Sequence, residues 1–306
     1  MVDGEPSTST YAHDLDQQPL RSTRPDGRTT EFTYDTAGRL ARMVMADVDL
    51  RLAYHPVTRQ LMSIATPTST LGYIFDGRLV TGTTWSGEVA GTVAFQYDGD
   101  FWTRAIVVNG QSVDFRYDAD GRTVGAGDLQ ITLDPSSGLV SDTVLDGIVD
   151  RRLYNGFGEL VGYEARYAGA MLYAATYTRD ARGRIVMLDE TVESDHDVFT
   201  YDYDTAGRLA GVTRNGDLSA SYTYDANGNR LTRTTTAGIE ASVYDDQDRL
   251  RSRGDTTYGY TANGELATRT TGSGVTTFAY DGAGQLRGVT LPGGTTVAYA
   301  VDGMSH

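Results

Sequence analysis

The sequence predicts an all-β protein of repeated antiparallel β-hairpins, arranged as a coiled sheet, a β-spiral or part of a barrel-like shell. Three observations predict this class. A tyrosine–aspartate heptad recurs along the chain, aromatic residues alternate with a period of two before each heptad, and Gly-containing turn signals lie between successive heptads. Helix signals are weak, because Thr, Gly and Tyr are frequent, Glu is scarce and Lys is absent.

The heptad defines the repeat. The residues YDTAGRL at 34–40 recur at 203–209. Looser copies begin at Tyr97, Tyr117, Tyr154, Tyr177, Tyr224, Tyr244, Tyr260 and Tyr280, and degraded copies begin at Tyr11, Tyr54, Phe75, Leu133 and Tyr299. The mean spacing is about 20 residues and varies between copies, which is typical of a unit closed by loops.

The residues that lead into each heptad predict a strand. Phe32 and Tyr34 are two residues apart, as are Phe278 and Tyr280. Alternate residues of a strand point to the same face, whereas a helix would scatter them around its axis. Each repeat therefore begins with a half-buried strand.

Two turns complete the unit. Asp-x-x-Gly follows the heptad Tyr, and Asp and Gly are the residues that tight turns favour. Between heptads lie second turn signals such as Asn109-Gly110 and Asn215-Gly216, which strongly indicate hairpins. Each unit is therefore predicted to consist of a strand, a tyrosine–aspartate turn, a second strand and a hairpin turn.

About fourteen such units are expected over residues 11–306, as one repeat domain truncated at its carboxyl end, after a flexible tail at 1–10. No internal domain boundary is visible. A flat sheet of two dozen or more strands is implausible because twist makes large sheets curl or close. Strand edges exposed at the ends of a repeat array favour edge-to-edge self-association.

Composition excludes several classes of function. Against 26 basic residues stand 41 acidic ones, for a net charge of −15, which argues against nucleic acid as a partner. The absence of Cys excludes disulfides and thiolate metal sites. No apolar run is long enough to insert into a membrane, and residues 1–10 show no signal-peptide pattern.

The heptads carry a family resemblance. YDTAGRL (34–40 and 203–209), YDANGNRL (224–231) and YDGAGQL (280–286) resemble the YD repeats of bacterial Rhs proteins, of insecticidal toxin complex shells and of teneurins. The resemblance covers nearly the whole chain. The core segment that follows the repeats in Rhs-like chains is not evident, since Asp134–Leu139 matches it only superficially and lies in register with the repeats.

The resemblance implies a sheet that spirals into a hollow shell. In bacterial members the shell encloses a carboxy-terminal toxin, and in teneurins a similar barrel supports cell adhesion. The expected function is therefore a non-enzymatic wall that encloses or displays another polypeptide in a secreted or cell-surface protein. Its expected partners are adjoining segments of the same polypeptide or an enclosed toxin. The alternative is a recognition module for carbohydrate or a cell-surface protein.

The repeat motif is expected to be structural, with each Tyr packed on the sheet and each Asp capping its turn. A Tyr platform for sugars is the alternative, but a single binding site would not need a dozen copies. The motif residues are Tyr34, Asp35, Gly38, Arg39, Tyr97, Asp98, Tyr117, Asp118, Gly121, Tyr203, Asp204, Gly207, Arg208, Tyr224, Asp225, Gly228, Tyr280, Asp281 and Gly284.

The motif arginines leave two roles open. Arg39, Arg208, Arg230 and Arg249 could pair with Asp or stack on Tyr of a neighbouring unit, and their recurrence in register suggests a ladder between repeats. Coding bias towards Arg is a third explanation.

Two acidic patterns suggest metal binding. Asp118-Ala119-Asp120-Gly121 and Asp225–Asn229 resemble the start of calcium loops but lack the later acidic ligand, so turn chemistry is the simpler explanation. In the longest gap between heptads lies an acidic cluster: Glu190, Glu193, Asp195, His196 and Asp197. It is expected to be a solvated loop and is the first candidate for specific recognition, with metal binding or acid–base work as alternatives.

Enzyme motifs are missing from the sequence. There is no Gly-x-Ser-x-Gly, phosphate loop, His-Glu-x-x-His or dinucleotide fingerprint, and none of the four His lies in a nucleophile pattern. No enzyme activity and no cofactor are therefore expected. A self-cleaving protease is the weakest of the three functions considered.

Overall fold

A computed structural model describes residues 8–300, and every one of its 29 elements is a β-strand. Within this part of the chain no helix is long and apolar enough to cross a membrane. The strands are β1 Thr10–His13, β2 Pro19–Thr23, β3 Thr29–Tyr34, β4 Leu40–Val44, β5 Asp49–Tyr54, β6 Leu61–Ala65, β7 Ser69–Asp76, β8 Leu79–Gly87, β9 Gly91–Tyr97, β10 Thr103–Val108, β11 Gln111–Tyr117, β12 Thr123–Ala126, β13 Leu129–Leu133, β14 Val140–Leu145 and β15 Ile148–Tyr154.

The remaining strands are β16 Leu160–Tyr167, β17 Ala170–Arg179, β18 Ile185–Val192, β19 Asp195–Tyr203, β20 Leu209–Arg214, β21 Asp217–Tyr224, β22 Arg230–Thr235, β23 Gly238–Tyr244, β24 Leu250–Arg253, β25 Thr256–Tyr260, β26 Leu266–Thr271, β27 Gly274–Tyr280, β28 Leu286–Thr290 and β29 Thr296–Ala298. The all-β class of repeated antiparallel hairpins is confirmed.

The chain forms two compact units. The first unit comprises Met1–Gln96, Ile106–Gln111 and Val243–His306, as far as these residues are described, and the second comprises Tyr97–Ala105 and Ser112–Ser242. In the first unit, β1 to β9 pair in chain order, and so do β24 to β29. In the second unit, β11 to β22 pair in the same way. That residues 11–306 form one repeat domain stays a prediction.

The predicted tail falls mostly outside the structure, because residues 1–7 are not described. Thr10, the last residue of the predicted tail, is the first residue of β1, and the bounds of the repeat domain stay a prediction.

Period-two burial follows the predicted pattern. In β3, Phe32 and Tyr34 are half-buried while Thr33 between them is exposed, and β27 repeats this with Phe278, Ala279 and Tyr280. Deep burial is rare, since among residues 8–300 only six apolar side chains count as buried. The strands therefore depend on contacts between adjacent repeats more than on a thick core.

The motif turns that keep the length of the heptad share one backbone geometry, whereas the turns of the degraded copies at Tyr54 and Leu133 are one residue longer. The amide of Asp204 donates to the carbonyl of Arg208 at 2.8 Å, and the amide of Gly207 donates to the carbonyl of Asp204 at 2.9 Å. Gly207 adopts a φ of 84°, in the left-handed region that Gly tolerates best. A register shift between Asp202 and Tyr203 precedes the turn, so Tyr203 pairs with Leu209.

The hairpin turns at the opposite strand ends differ from the motif turns. Asn215 and Gly216 have φ values of 54° and 88°, and Asn109 and Gly110 have 48° and 85°. Positive φ at both central residues is typical of the type I′ turn, whose twist matches that of the flanking strands. The Asn-Gly signals therefore produce the hairpins that the sequence predicts.

Candidate functional site

Each motif Asp organises its own turn. Oδ1 of Asp35 accepts the amides of Ala37 and Arg39, both at 2.9 Å, and Oδ2 accepts Nε of Arg39 at 2.7 Å. Asp204 makes the corresponding bonds to Arg208 at 2.9 and 2.7 Å. The carboxylate therefore ties the turn backbone to the Arg side chain that follows it.

The hydrogen bonds lower the pKa of these carboxyls. The side chain of Arg39 lowers the pKa of Asp35, and the backbone amide of Arg208 lowers the pKa of Asp204. At Asp245, burial acts to raise the pKa, but hydrogen bonds from Arg249 outweigh it and hold the pKa at about 2. The carboxyls of Asp35, Asp204 and Asp245 are thus held in their charged form.

The motif Arg also reaches the next repeat. The guanidinium of Arg39 lies 4.4 Å from the ring centre of Tyr54, and that of Arg208 lies 4.7 Å from the ring centre of Tyr224. The same stacking joins Arg184 to Tyr203 and Arg249 to Tyr260. The two roles that the sequence left open for these arginines occur together, because the planar guanidinium bonds the Asp along its edge and the Tyr across its face. The exception is Arg230, whose guanidinium lies 5.6 Å from the ring centre of Tyr222 in the preceding strand.

The stacked arginines explain an otherwise unusual burial. Nη1 of Arg39, Arg184 and Arg249 is buried and has no hydrogen-bond partner within residues 8–300. Each of these guanidinium groups lies against a Tyr ring, whose π face accepts a cation and its N–H groups. The ring therefore replaces the water that these atoms lose.

The motif Tyr completes the link between repeats. The hydroxyl of Tyr224 donates to the carbonyl of Leu209 at 2.7 Å, and that of Tyr54 donates to the carbonyl of Leu40 at 2.9 Å. The same bond, to a carbonyl 10 to 18 residues earlier, is made by Tyr34, Tyr117, Tyr154, Tyr203 and Tyr260. We call this repeated set of Asp–Arg, Arg–Tyr and Tyr–carbonyl contacts the motif ladder.

In some motif copies, other residues take the positions of the motif Gly or Arg. In the Tyr97 copy, the Gly position is taken by Phe101 with a φ of 64°, and Trp102 takes the Arg position and packs against the ring of Tyr117. In the Tyr280 copy, Asp281 is 3% exposed and accepts Nε of Arg287 at 2.8 Å, two residues beyond the usual Arg position. The turn bonds persist in both copies.

The two calcium-like stretches have their carboxylates engaged in turns. Asp118 accepts the amides of Asp120 and Arg122, and Asp225 accepts the amide and side-chain amide of Asn229. Across residues 8–300, no group of three or more Asp, Glu or His side chains is arranged to hold a metal ion.

The acidic cluster is not a loop. Glu190 lies in β18, whereas Asp195, His196 and Asp197 lie in β19, and only Glu193 and Ser194 form the turn between these strands. The loop expectation is therefore wrong, because the extra residues lengthen a hairpin. The cluster residues belong to two paired antiparallel strands, in which Glu190 is directly opposite Asp197.

Side chains of this hairpin are engaged within the second unit. Asp197 forms an ion pair with Arg214 at 2.6 Å, which lowers the pKa of the carboxyl, and His196 contacts Asp189 at 2.9 Å. Glu190 accepts the hydroxyl of Tyr173, and burial, followed by this bond, raises the pKa of Tyr173. The recognition role of Glu193, Asp195, His196 and Asp197 stays a prediction.

A second set of contacts joins distant repeats of the first unit. Asn263 and Asp26 bond each other twice, with the side-chain amide of Asn263 2.8 Å from Oδ2 of Asp26. Arg24 pairs with Glu265 and donates to the carbonyl of Gly282, and Oδ1 of Asp47 accepts the amide of Gly282. We call these contacts between residues 24–47 and 261–285 the seam.

The seam depends on a residue without a side chain. A Cβ on Gly282 would lie 2.8 Å from both Oδ1 of Asp47 and Cβ of Met45, closer than atoms can approach. No local sequence pattern predicts the seam, because its partners are 235 to 258 residues apart. The one local signal was a charged turn, Arg24–Arg28, among turns of mostly neutral residues.

The repeated hairpins and the motif ladder together define a YD-repeat β-shell protein. The family described as Teneurin YD-shell matches residues 3–306. The chain belongs to the teneurin YD-shell family.

Individual relatives agree with this assignment. Teneurin-1 of Mus musculus is 28% identical over 146 residues, and the match covers 46% of this chain but only 5% of the relative. Teneurin-1 of Homo sapiens is 27% identical over the same length. The chain therefore spans about a twentieth of the curated relatives that it matches.

Solved structures show the same fold. A chain of the Photorhabdus luminescens Tc holotoxin pore superposes with a TM-score of 0.69 at 13% identity, covering 92% of this chain and 19% of that one. The TcdB2-TccC3 structure superposes with a TM-score of 0.65 at 15% identity, covering 96% of this chain and 20% of that one. At such identity the similarity concerns the fold.

Proposed function

We propose that this chain is a non-enzymatic segment of wall in a larger exported protein, where its repeats enclose or display another polypeptide. The observation that carries the proposal is the motif ladder. At the Tyr54, Tyr203, Tyr224 and Tyr260 copies, a Tyr–carbonyl bond and an Arg–Tyr stack tie one repeat to its neighbour, so the motif side chains serve assembly. Membership of the YD-shell family supports the same role.

The mechanism proposed is sequestration. Antiparallel hydrogen bonding leaves few unpaired backbone groups along the wall, and a protease must bind an extended, unpaired segment. Partners would be adjoining segments of the same polypeptide or an enclosed one, such as a toxin. The protein would act outside the cell that makes it or at that cell's surface.

Protease protection tests the proposal. The full polypeptide that contains these repeats is treated with trypsin, and cleavage of the segments outside the repeats is followed by mass spectrometry. We expect an enclosed segment to resist cleavage, and to lose its protection at the urea concentration that unfolds the repeats. Cleavage at the rate measured for that segment produced alone would refute enclosure.

Recognition of carbohydrate or a surface protein is the second candidate, favoured by an aromatic and acidic patch on the second unit. Tyr163 and Tyr173 pack with ring centres 5.9 Å apart, Arg152 lies over Tyr163, and Glu190 bonds Tyr173. Aromatic faces beside carboxylates suit sugars and cationic groups. Saturable binding on a glycan array, lost in Glu190→Gln, would support this role, whereas the wall proposal expects no saturable ligand.

A further inference from the structure

Two tyrosines that do not belong to the repeat motif lie side by side on the second unit. Tyr163 in β16 and Tyr173 in β17 pack with their ring centres 5.9 Å apart and their ring planes inclined at 51°. Each is directly opposite an alanine, because Tyr163 pairs with Ala175 and Tyr173 pairs with Ala165. The small alanines leave the space over this strand pair to the two rings, which meet diagonally across it.

The groups around these two hydroxyls differ from those around the motif tyrosines. The motif hydroxyls donate to backbone carbonyls, which are not bases. The hydroxyl of Tyr173 instead donates to Oε2 of Glu190 at 3.0 Å. In the strand on the other side, Asp150 is directly opposite Ala165 and therefore diagonal to Tyr163. Each ring of the pair thus has a carboxylate near it.

A nearby carboxylate matters when a tyrosine is oxidised. Burial, followed by the charge of Asp150, raises the pKa of Tyr163, and burial, followed by the bond to Glu190, raises the pKa of Tyr173. Both phenols therefore stay protonated near neutral pH, and loss of an electron from either ring must be accompanied by loss of its phenolic proton. The carboxylate beside each hydroxyl is the base that accepts this proton.

Contact between the rings determines what the oxidised tyrosines then do. Two tyrosyl radicals couple at the ring carbons ortho to oxygen, and rings already packed together react within one molecule. Both side chains are half-buried, so a reagent in solution reaches part of each ring while the neighbouring strands hold the rest.

We propose that Tyr163 and Tyr173 are a site of oxidative cross-linking, at which a peroxidase and hydrogen peroxide join the two rings as dityrosine. Each ring gives up one electron and its phenolic proton, and a carbon–carbon bond then forms between the two ortho carbons. The ortho hydrogens leave as protons and the phenolic oxygens are reprotonated, so the pair loses two hydrogen atoms in all. One molecule of hydrogen peroxide takes up these two electrons and two protons and becomes two molecules of water.

The cross-link closes the hairpin of β16 and β17 covalently. This hairpin joins the second strand of one repeat to the first strand of the next, and the chain has no Cys with which a disulfide could do the same. The inference goes beyond the wall function, because the bond forms within one hairpin whether or not a polypeptide is enclosed.

Peptide mapping after oxidation tests the site. The protein is treated at low concentration with a haem peroxidase and hydrogen peroxide, then denatured and digested with trypsin, which places the two tyrosines in the separate peptides 153–166 and 167–179. We expect dityrosine fluorescence, a monomer mass lower by two hydrogen atoms, and these peptides joined through Tyr163 and Tyr173. Cross-links formed only between molecules, or only through the exposed Tyr167, would overturn the proposal.

Single substitutions identify the rings that react. Tyr163→Phe and Tyr173→Phe should each abolish the joined peptides, because phenylalanine forms no phenoxyl radical. The matched control is Tyr167→Phe, which removes a 54% exposed ring from the same two peptides and should leave the yield unchanged. A parental yield in Tyr163→Phe or in Tyr173→Phe would exclude this pair as the site.

The proton acceptor has its own test. Glu190→Gln keeps an acceptor for the hydrogen bond from Tyr173 but removes the base, so we expect the initial rate of cross-linking to fall at least about tenfold. Asp195→Asn, which removes the same charge from an exposed position in β19, should keep the parental rate. An unchanged rate in Glu190→Gln would overturn the assignment of this carboxylate as the proton acceptor.

Discussion

The choice of Arg over Lys at the motif position follows from geometry. Nε of Arg39 bonds Oδ2 of Asp35 at 2.7 Å while the same guanidinium lies over the ring of Tyr54, 4.4 Å from its centre. A Lys ammonium is a compact point charge that cannot present an edge to one partner and a flat face to another. Arg39, Arg184, Arg208 and Arg249 therefore make two contacts that Lys could not make together, although nothing in the structure explains why Lys is absent from the whole chain.

Removal of one motif hydroxyl should have a modest and local cost. We expect Tyr224→Phe to lower the free energy of unfolding by about 1 kcal/mol, because the carbonyl of Leu209 loses its bond while the ring stays stacked on Arg208. Urea unfolding followed by circular dichroism measures the change. The control Tyr11→Phe, at a side chain 65% exposed, should change stability by much less. Equal effects of the two substitutions would show that the hydroxyl bond contributes nothing.

The motif carboxyls predict sensitivity to acid. The pKa of Asp245 is about 2 in the folded protein against 3.8 for the free group, so the unfolded chain takes up the proton first as pH falls. A lowered carboxyl pKa adds stability that is complete above about pH 4 and is lost as pH falls towards 2. We therefore expect the urea midpoint to decrease across this interval.

Substitution locates the acid effect. Asp245→Asn should be less stable than the parent at pH 6, and its urea midpoint should fall less steeply between pH 4 and pH 2. Asp255→Asn, which removes the same charge from the next hairpin turn, should keep the parental slope. A parental slope in Asp245→Asn would rule out this carboxyl as a contributor.

At the level of the turn, the Tyr97 copy has a bulky residue in a conformation that favours Gly. Phe101 has a φ of 64° at the position where most close copies have Gly, and its side chain is 74% exposed. A left-handed conformation costs a residue with a side chain about 1–2 kcal/mol, which exceeds the entropy that Gly loses on folding. Phe101→Gly should therefore raise the free energy of unfolding by up to about 1 kcal/mol.

The reverse change at a matched position provides the control. Gly207 has a φ of 84° in the equivalent turn, so Gly207→Ala should lower stability by about 1 kcal/mol. Thermal unfolding of both variants gives opposite shifts in Tm. Destabilisation by Phe101→Gly would mean that the exposed ring makes a contribution larger than the strain it imposes.

The sequence predicts those elements whose conformation is set by residues close together in the chain. The turn at 204–208 is predictable because Asp204 and Gly207 act within five residues, and the strands follow from aromatic alternation. The sequence does not distinguish the hairpin at Glu193 and Ser194 from a loop, because polar residues on a strand exposed on one face resemble a solvated segment. The bond between Asp47 and Gly282 could not be predicted, since neither residue carries a signal for a partner 235 residues away.

For the first unit as a whole, the seam should control how tightly distant repeats are held. Gly282→Ala places a Cβ against Met45 and Asp47, so we expect faster amide hydrogen exchange in residues 24–28 and a loss of about 1–3 kcal/mol in stability. Gly293→Ala is the control, because its Cβ would meet nothing within 4 Å. Unchanged exchange at 24–28 in Gly282→Ala would show that the seam opens freely already.

The seam also sets how far a local disturbance can travel. Along the motif ladder each repeat touches only its neighbours, so a strained or missing contact is felt over one or two repeats, as in a one-dimensional array. Across the seam, Asp26 meets Asn263 directly, although 237 residues separate them in sequence. A structural disturbance in the first unit can therefore spread in two ways. Along the motif ladder its effect declines over one or two repeats, whereas across the seam a single contact carries it between repeats that are distant in sequence.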